Sequence, residues 1–372
     1  MNIKSLLLGS AAALVAVSGA RAADAVVVAE PEPAEYVRIC DVYGAGYFYI
    51  PGTETCLRVG GYVRYDASFG DAGSFDGRDA IDVRNGKLQR SWGKNARFAL
   101  KTWTGQETEL GTLKTYTETR FNYTNGETNV DAHFAWMQLG GLRIGVDESS
   151  FDTFIGYAGN VIQDTLVPYG GFGTNLISYT FDAGNGFSAM AAVEQGSDQL
   201  TGDIKVGPGA VPVEGPIDSY VPNVVVGAKF AQGWGAITGV AAYDSNWEEW
   251  AGKLRLDVNV NDALSLWVMG GYGTDDHVAR NFYKLWGGNW AVWGGGTYKF
   301  NEKVAFNAQV SYDDSKSLGL AANIAYTVVP GLTITPEINW VHQGDFTPGM
   351  TTWTGMRKEN AVGGIIRFQR DF

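Results

Sequence analysis

Apolar and polar residues alternate with period two along most of this chain, in runs of about ten residues, and within each run the charges keep to one parity. Leu57, Val59, Val63 and Tyr65 share one parity, while Arg58, Tyr62, Arg64 and Asp66 share the other. Ala96, Phe98 and Leu100 oppose Arg97 and Lys101, and Leu113, Thr115, Thr117, Thr119 and Phe121 oppose Lys114, Glu118 and Arg120. The same split sets Leu142, Ile144 and Val146 against Arg143 and Asp147, and Leu254, Leu256, Val258 and Val260 against Lys253, Arg255, Asp257 and Asn259. It recurs late in the chain, where Val304, Phe306, Ala308 and Val310 oppose Lys303, Asn307 and Gln309. Such strands suit a surface with lipid on one side and water on the other. A Lys or Arg turned to lipid near the midplane costs roughly 2–4 kcal/mol, so their register has little freedom to slip.

The breaks between runs alternate in length. Short turns fall at Gly140-Gly141, Gly184-Asn185-Gly186, Gly233-Trp234-Gly235, Asn261-Asp262 and Pro330-Gly331, and longer polar stretches near 70–93, 149–173, 196–221, 274–288 and 344–358. One tight end and one loopy end is the arrangement of a membrane barrel. Counting runs predicts about sixteen strands over 55–372, at roughly 22 residues per strand and connection. The expected fold is therefore all-β, a transmembrane antiparallel barrel. A secreted soluble sandwich or propeller is the rival all-β fold, but it gives no reason for cations to hold one parity, and no internal repeat supports a propeller.

Both ends of the chain fit a membrane destination. Met1 to Ala22 carries one early cation, Lys4, then an apolar run from Leu6 to Val17, then Ala20-Arg21-Ala22, the pattern of a cleavable secretory signal. That run of about twelve residues falls short of the roughly twenty a spanning helix requires. Residues 23–54 would lead into the first strand. At the other end Ile366, Phe368 and Phe372 share one side of the last alternating run, and a terminal aromatic there is a barrel-assembly signal.

Composition sharpens the picture. Charged residues make up only 18%, against 50 Gly, 18 Tyr, 18 Phe and 12 Trp, a mixture suited to strands with one lipid face and one wet face. Without Lys4 and Arg21 the chain has 26 basic and 40 acidic residues, a mature charge of about −14. That balance disfavours nucleic acid and favours cations in an enclosed pore. Cys40 and Cys56 are the only cysteines and would lie in an oxidising compartment, so a disulfide between them is expected. Closing the loop Asp41 to Thr55, about 15 residues, is worth about 3 kcal/mol on a chain-entropy argument. Without histidines nearby, they do not suggest a metal site.

Three segments resemble a known family. Residues 35–65, EYVRICDVYGAGYFYIPGTETCLRVGGYVRY, look like the opening of the general porins of alphaproteobacteria, the Brucella and rhizobial type. Residues 151–164, FDTFIGYAGNVIQD, resemble the third loop of those porins, and residues 366–372, IRFQRDF, their terminus. The resemblance implies a homotrimer of 16-stranded barrels in the outer membrane of a Gram-negative bacterium, each with its third external loop folded into the lumen. It also implies surrounding lipid and lipopolysaccharide, folding by the barrel-assembly machinery, and no cofactor. Arg370 departs from the pattern, because it shares the parity of Phe368 and Phe372 where an apolar residue is usual.

Selection of solutes would then lie where the insertion from Ser149 to Gly173 meets the wall. The insertion carries Asp152, Asp164 and Tyr169, preceded by Asp147 and Glu148; the wall opposite bears Arg58, Arg64, Arg97, Lys101, Arg120 and Arg143. Opposed rows of charge are how pores choose ions. The expected function is passive diffusion of small hydrophilic solutes and ions with a modest cation preference. The alternatives are an outer-membrane barrel enzyme of lipase or protease type and a plugged structural or adhesin barrel. The three histidines, His133, His277 and His342, are far apart and lack a nucleophile or ligand spacing, and the acidic run Asp71, Asp76, Asp79 and Asp82 lacks the ligand order of a calcium loop.

Overall fold

In the computed structural model the structure describes residues 38–196, 202–206, 209–213, 217–275, 281–344 and 358–372. The predicted signal 1–22, residues 23–37 and His277 lie outside them.

The alternating runs form sixteen strands: β1 Cys56–Gly70, β2 Gly93–Thr108, β3 Gly111–Thr124, β4 Glu127–Leu139, β5 Leu142–Glu148, β6 Gly173–Asp182, β7 Phe187–Glu194 and β8 Asn223–Gln232. They continue as β9 Gly235–Asp244, β10 Glu249–Asn259, β11 Leu264–Gly273, β12 Trp290–Asn301, β13 Val304–Asp313, β14 Leu318–Val329, β15 Leu332–His342 and β16 Asn360–Asp371. Each pairs antiparallel with its neighbours in sequence, and β1 pairs with both β2 and β16, which closes the sheet on itself. Closure removes the unpaired edges that lipid could not satisfy. No described helix is long and apolar enough to cross a membrane.

The parity read from sequence holds. Val59, Val63, Tyr65, Phe98, Phe121, Leu254 and Val310 are exposed, as lipid-facing residues of an isolated chain must be, while Asp66, Glu118, Lys253, Asn307 and Gln309 on the other parity are buried. At one end every connection is short; at the other, long stretches such as 71–92 and 149–172 alternate with tight turns. One of these is Asn125-Gly126, which joins β3 to β4 with φ of 53° and 101°, the positive values a two-residue hairpin needs. The sequence pattern had not separated that hairpin.

Phe372 finishes the closure. Its main chain exchanges two 3.1 Å hydrogen bonds with Gly61, and its ring stacks 6.3 Å from Phe98 on the outer surface. Phe368 is exposed on the same side, Ile366 is half-buried, and Arg370 shares that parity as expected, donating to the carbonyl of Asp371. The Cys40–Cys56 disulfide is present, with Cα atoms 6.0 Å apart. Within the loop it closes, a short strand, Phe48–Tyr49, pairs antiparallel with Leu57 and Cys56 at the start of β1.

Packed apolar clusters form where the segment 149–172 meets the strands. Phe151, Ile155, Val167 and Tyr169 are buried with Met269, Tyr283, Trp286 and Trp293, and a second cluster joins Val161 and Leu166 to Ala321, Val341 and Ala361.

Candidate functional site

All six predicted wall cations lie on the inner parity of β1, β2, β3 and β5, and each is held by a neighbour. Glu118, 1% exposed, accepts Arg120 at 2.6 Å, pairs with Lys101 at 3.4 Å and accepts the Tyr116 hydroxyl at 2.6 Å. Asp66, 2% exposed, does the same for Arg64 at 3.3 Å and Arg367 at 2.8 Å. Arg97 donates to Asn122 at 2.6 Å, Arg143 pairs with Asp147 at 2.6 Å, and Arg58 lies 4.6 Å over the ring of Trp103. Buried acids thus fix Arg64, Lys101, Arg120 and Arg143, and an amide and an indole ring hold Arg97 and Arg58. Sequence reasoning missed Asp66, Glu118 and Arg367 as functional residues, although two acids among inner-parity cations were a signal.

The segment between β5 and β6 begins with a short helix, α1 Ser150–Thr153, capped by Ser149, whose hydroxyl accepts from the Phe151 amide. The cap is held by Glu194 of β7, which accepts the Ser149 hydroxyl and the Ser150 amide, each at 2.7 Å. Asp152 and Lys253 of β10 are both fully buried and meet at 2.5 Å, and the ammonium also donates to the Tyr169 carbonyl at 2.9 Å and sits 4.1 Å over Phe151. Farther along, Arg255 donates to the Tyr157 carbonyl, Trp293 to the Val167 carbonyl at 2.8 Å, and Gln309 to the Asp164 carbonyl at 2.9 Å. Glu337 of β15 accepts the amides of Ile162 and Gln163 at 2.5 and 2.7 Å. Gln163 then reaches the first long loop, accepting from the Ser74 amide and donating to the Phe75 carbonyl.

These contacts give the predicted acids different fates from the one expected. Asp152 presents no charge to solvent: burial pushes it up to about 6 against the opposing pull of Lys253. Asp164 is pushed up to about 7, chiefly by burial, while the hydroxyl of Tyr169 donates to it at 2.6 Å and pulls the other way. Glu148 accepts the Tyr157 hydroxyl, and Asp147 is taken up by Arg143. The expectation was a row of free acids on the loop; the structure makes Asp152 a structural anchor, because an unpaired carboxylate cannot be left in an apolar cluster. The anchors on the far side, Glu194, Lys253, Arg255 and Glu337, were read from sequence at most as generic inner-face residues. Among the described residues there is no cluster of His, Cys, Asp or Glu able to hold a metal, and His133 and His342 stand on separate strands, β4 and β15.

Comparison with known proteins agrees with this architecture. Residues 24–365 match the family described as the porin subfamily. The chain is 52% identical to porin Omp2b of Brucella canis and to that of Brucella suis, over the full length of both chains in each case. Among solved structures it is similar to the outer-membrane channel DcaP of Acinetobacter baumannii (TM-score 0.60, 18% identity, 87% of this chain and 99% of that one). It is also similar to an anion-selective porin from Comamonas acidovorans (TM-score 0.54, 13% identity, 86% and 100%). The structural likeness to these solved structures carries the fold alone, and the family match with the Brucella relatives carries the family. A closed barrel of sixteen strands, apolar without and charged within, is here the body of an outer-membrane channel, and the chain belongs to the porin subfamily.

Proposed function

We propose that the protein is a passive, water-filled diffusion channel for small hydrophilic solutes and ions, in which the segment 149–172 narrows the lumen opposite the cationic wall. One observation carries this reading. The segment is bonded to inner-parity side chains of β7, β10, β12, β13 and β15, so β16 and β1 to β5 are left to face the remaining space. The constriction then has the outer edge of the segment on one side, with Tyr157 donating to Glu148 where it leaves β5, and Arg58, Arg64, Arg97, Lys101, Arg120 and Arg143 on the other, Asp147 being paired to Arg143 on that same wall. Asp152, Asp164 and Tyr169 fix the segment's position. The working unit is a homotrimer, set in lipid and lipopolysaccharide after removal of the signal 1–22 and assembly guided by Phe372. The reading includes no catalytic step.

A modest cation preference follows from the mature charge of about −14 acting through a Debye length of about 8–10 Å. The local excess of cations on the bare wall opposes it, which is why the preference is modest. Single-channel recording in a planar bilayer tests both levels. Stable conducting steps are expected, and a zero-current potential in a KCl gradient that lies on the potassium side. Absence of steps from correctly folded protein would end the channel reading. A potential on the chloride side would overturn the preference and leave the channel standing.

A further inference from the structure

Near the short-turn end of the bare wall, one register line carries Arg58 of β1, Trp103 of β2, Tyr116 of β3 and Trp136 of β4 as successive cross-strand neighbours. All four lie on the inner parity, since Val59, Leu113 and Met137 of the opposite parity are the exposed ones. The rings form a continuous strip, with centroids 5.4 Å apart between Trp103 and Tyr116 and 5.5 Å between Tyr116 and Trp136. At a strand spacing of about 4.8 Å, three rings cover about 10 Å of wall, room for one six-membered ring and its substituent. The strip is only half-buried, unlike the rings beneath the segment 149–172. Aromatic residues of a barrel are expected in girdles on the lipid side; a row on the wet side has no such duty.

Cations flank the strip. Arg58 lies 4.6 Å over Trp103, and Arg143 lies 4.1 Å over Trp136. Arg143 is already paired with Asp147, but neither Arg58 nor the exposed Lys114 forms an ion pair with any described residue. Lys114 sits one register line below, between Gly105 and Gln138. Gly105 has no side chain because the ring of Tyr43, from the disulfide-closed loop, comes within 2.6 Å of where its Cβ would stand. The loop thus forms a lip at the edge of the strip, held by a 2.9 Å hydrogen bond from the Tyr43 hydroxyl to Glu107.

We propose that this strip is a binding site for solutes that combine a flat conjugated ring with a carboxylate, the ring packing against Trp103, Tyr116 and Trp136, whose planes are tilted 34° and 43° to one another, and the carboxylate taken by Arg58 and Lys114. Ring stacking alone tolerates many solutes, and a charge-assisted hydrogen bond at one end adds the choice of anion. The site would retain aromatic acids during passage, and it rests on the channel reading above.

Benzoate is the probe, with acetate as the charge-only control at equal ionic strength, applied to the full protein in planar bilayers and read relative to each variant's own unblocked current. Benzoate is expected to lower the KCl current in a saturable way and acetate is not. Trp103→Leu with Trp136→Leu should raise the half-saturating concentration about tenfold, the scale of one or two lost stacking contacts. Trp103→Phe with Trp136→Phe should restore most of it, and Arg58→Gln should weaken benzoate while leaving the weak effect of benzyl alcohol in place. Circular dichroism of each variant checks the barrel, and Arg58→Gln still decides the matter if the leucine variant does not assemble. Benzoate acting like acetate, or saturating at the same concentration in the leucine and Arg58→Gln variants, would overturn the site. Loss of all conductance in the unaltered protein would instead strike the channel reading.

Discussion

Inner-parity side chains of β7, β10, β12, β13 and β15 are bonded to the segment 149–172, whereas from β16 through β5 the same parity is bonded mainly to itself. On the covered side Lys253 is fully buried against Asp152, and Glu337 accepts two main-chain amides. On the bare side Arg120 and Lys101 share Glu118 while remaining partly exposed, and Arg58 and Arg143 lie on tryptophan rings. An inner-parity cation therefore has two possible occupations in one barrel. Dry, it fixes a loop; wet, it sets a field. Burial decides between them, because an unpaired charge that is cheap in water becomes costly in an apolar cluster.

The largest effect should come from breaking the dry pair. Lys253→Met leaves Asp152 buried without its cation, and removal of one member of a buried pair costs about 3–5 kcal/mol. The expected outcome is a lower unfolding midpoint and an enlarged, noisier conductance as the segment loosens. The double variant Asp152→Asn with Lys253→Met should recover much of the loss, since no uncompensated charge remains. Arg120→Ser on the bare side should cost less, because Lys101 and Tyr116 still hold Glu118. Equal destabilisation by Lys253→Met and Arg120→Ser would dissolve the distinction between the two halves.

Alternation made the barrel legible. Lipid penalises every misplaced charge, so the parity of Arg58, Arg97, Arg120 and Arg143 and the strand count could be read without knowing their partners; the disulfide was legible for another reason, two cysteines alone in an oxidising compartment. The anchors were not legible for the complementary reason. Lys253 and Arg255 obey the same alternation as the wet cations, and their partners Asp152 and Tyr157 lie 101 and 98 residues away. Glu337 meets Gln163 across 174 residues. Nothing local in sequence says which inner face a loop will cover. The same blindness made Asp152 look like a free charge.

A smaller effect concerns acidity at the segment's tip. Asp164, ordinarily near 3.8, is raised to about 7 by burial, with Glu337 and Glu148 adding repulsion and the Tyr169 hydroxyl opposing. A carboxyl raised in the folded state favours the protonated form. Its stabilising contribution is complete below about pH 4 and is lost as pH rises through about 7. Thermal unfolding should therefore show this part of the covered half more secure at pH 5 than at pH 8. Asp164→Asn, neutral throughout, should flatten that part of the profile. A variant profile as steep as the original would remove Asp164 from the account.

The smallest effect, and the sharpest division between the halves, is in ion preference. Arg97→Ser with Arg120→Ser removes two partly exposed cations from the bare wall, within one Debye length of about 8–10 Å of passing ions at physiological salt. The zero-current potential in a KCl gradient should move toward stronger cation preference. Asp152→Asn with Lys253→Met removes one charge of each sign from a dry site, so its net charge is unchanged and little field is lost from the lumen. Its potential should stay with that of the unaltered protein even while its conductance noise differs. If the dry pair moved the potential as far as the wet cations did, Asp152 would have to sense passing ions through its burial, and the field would belong to the whole ring of charge rather than to the bare half.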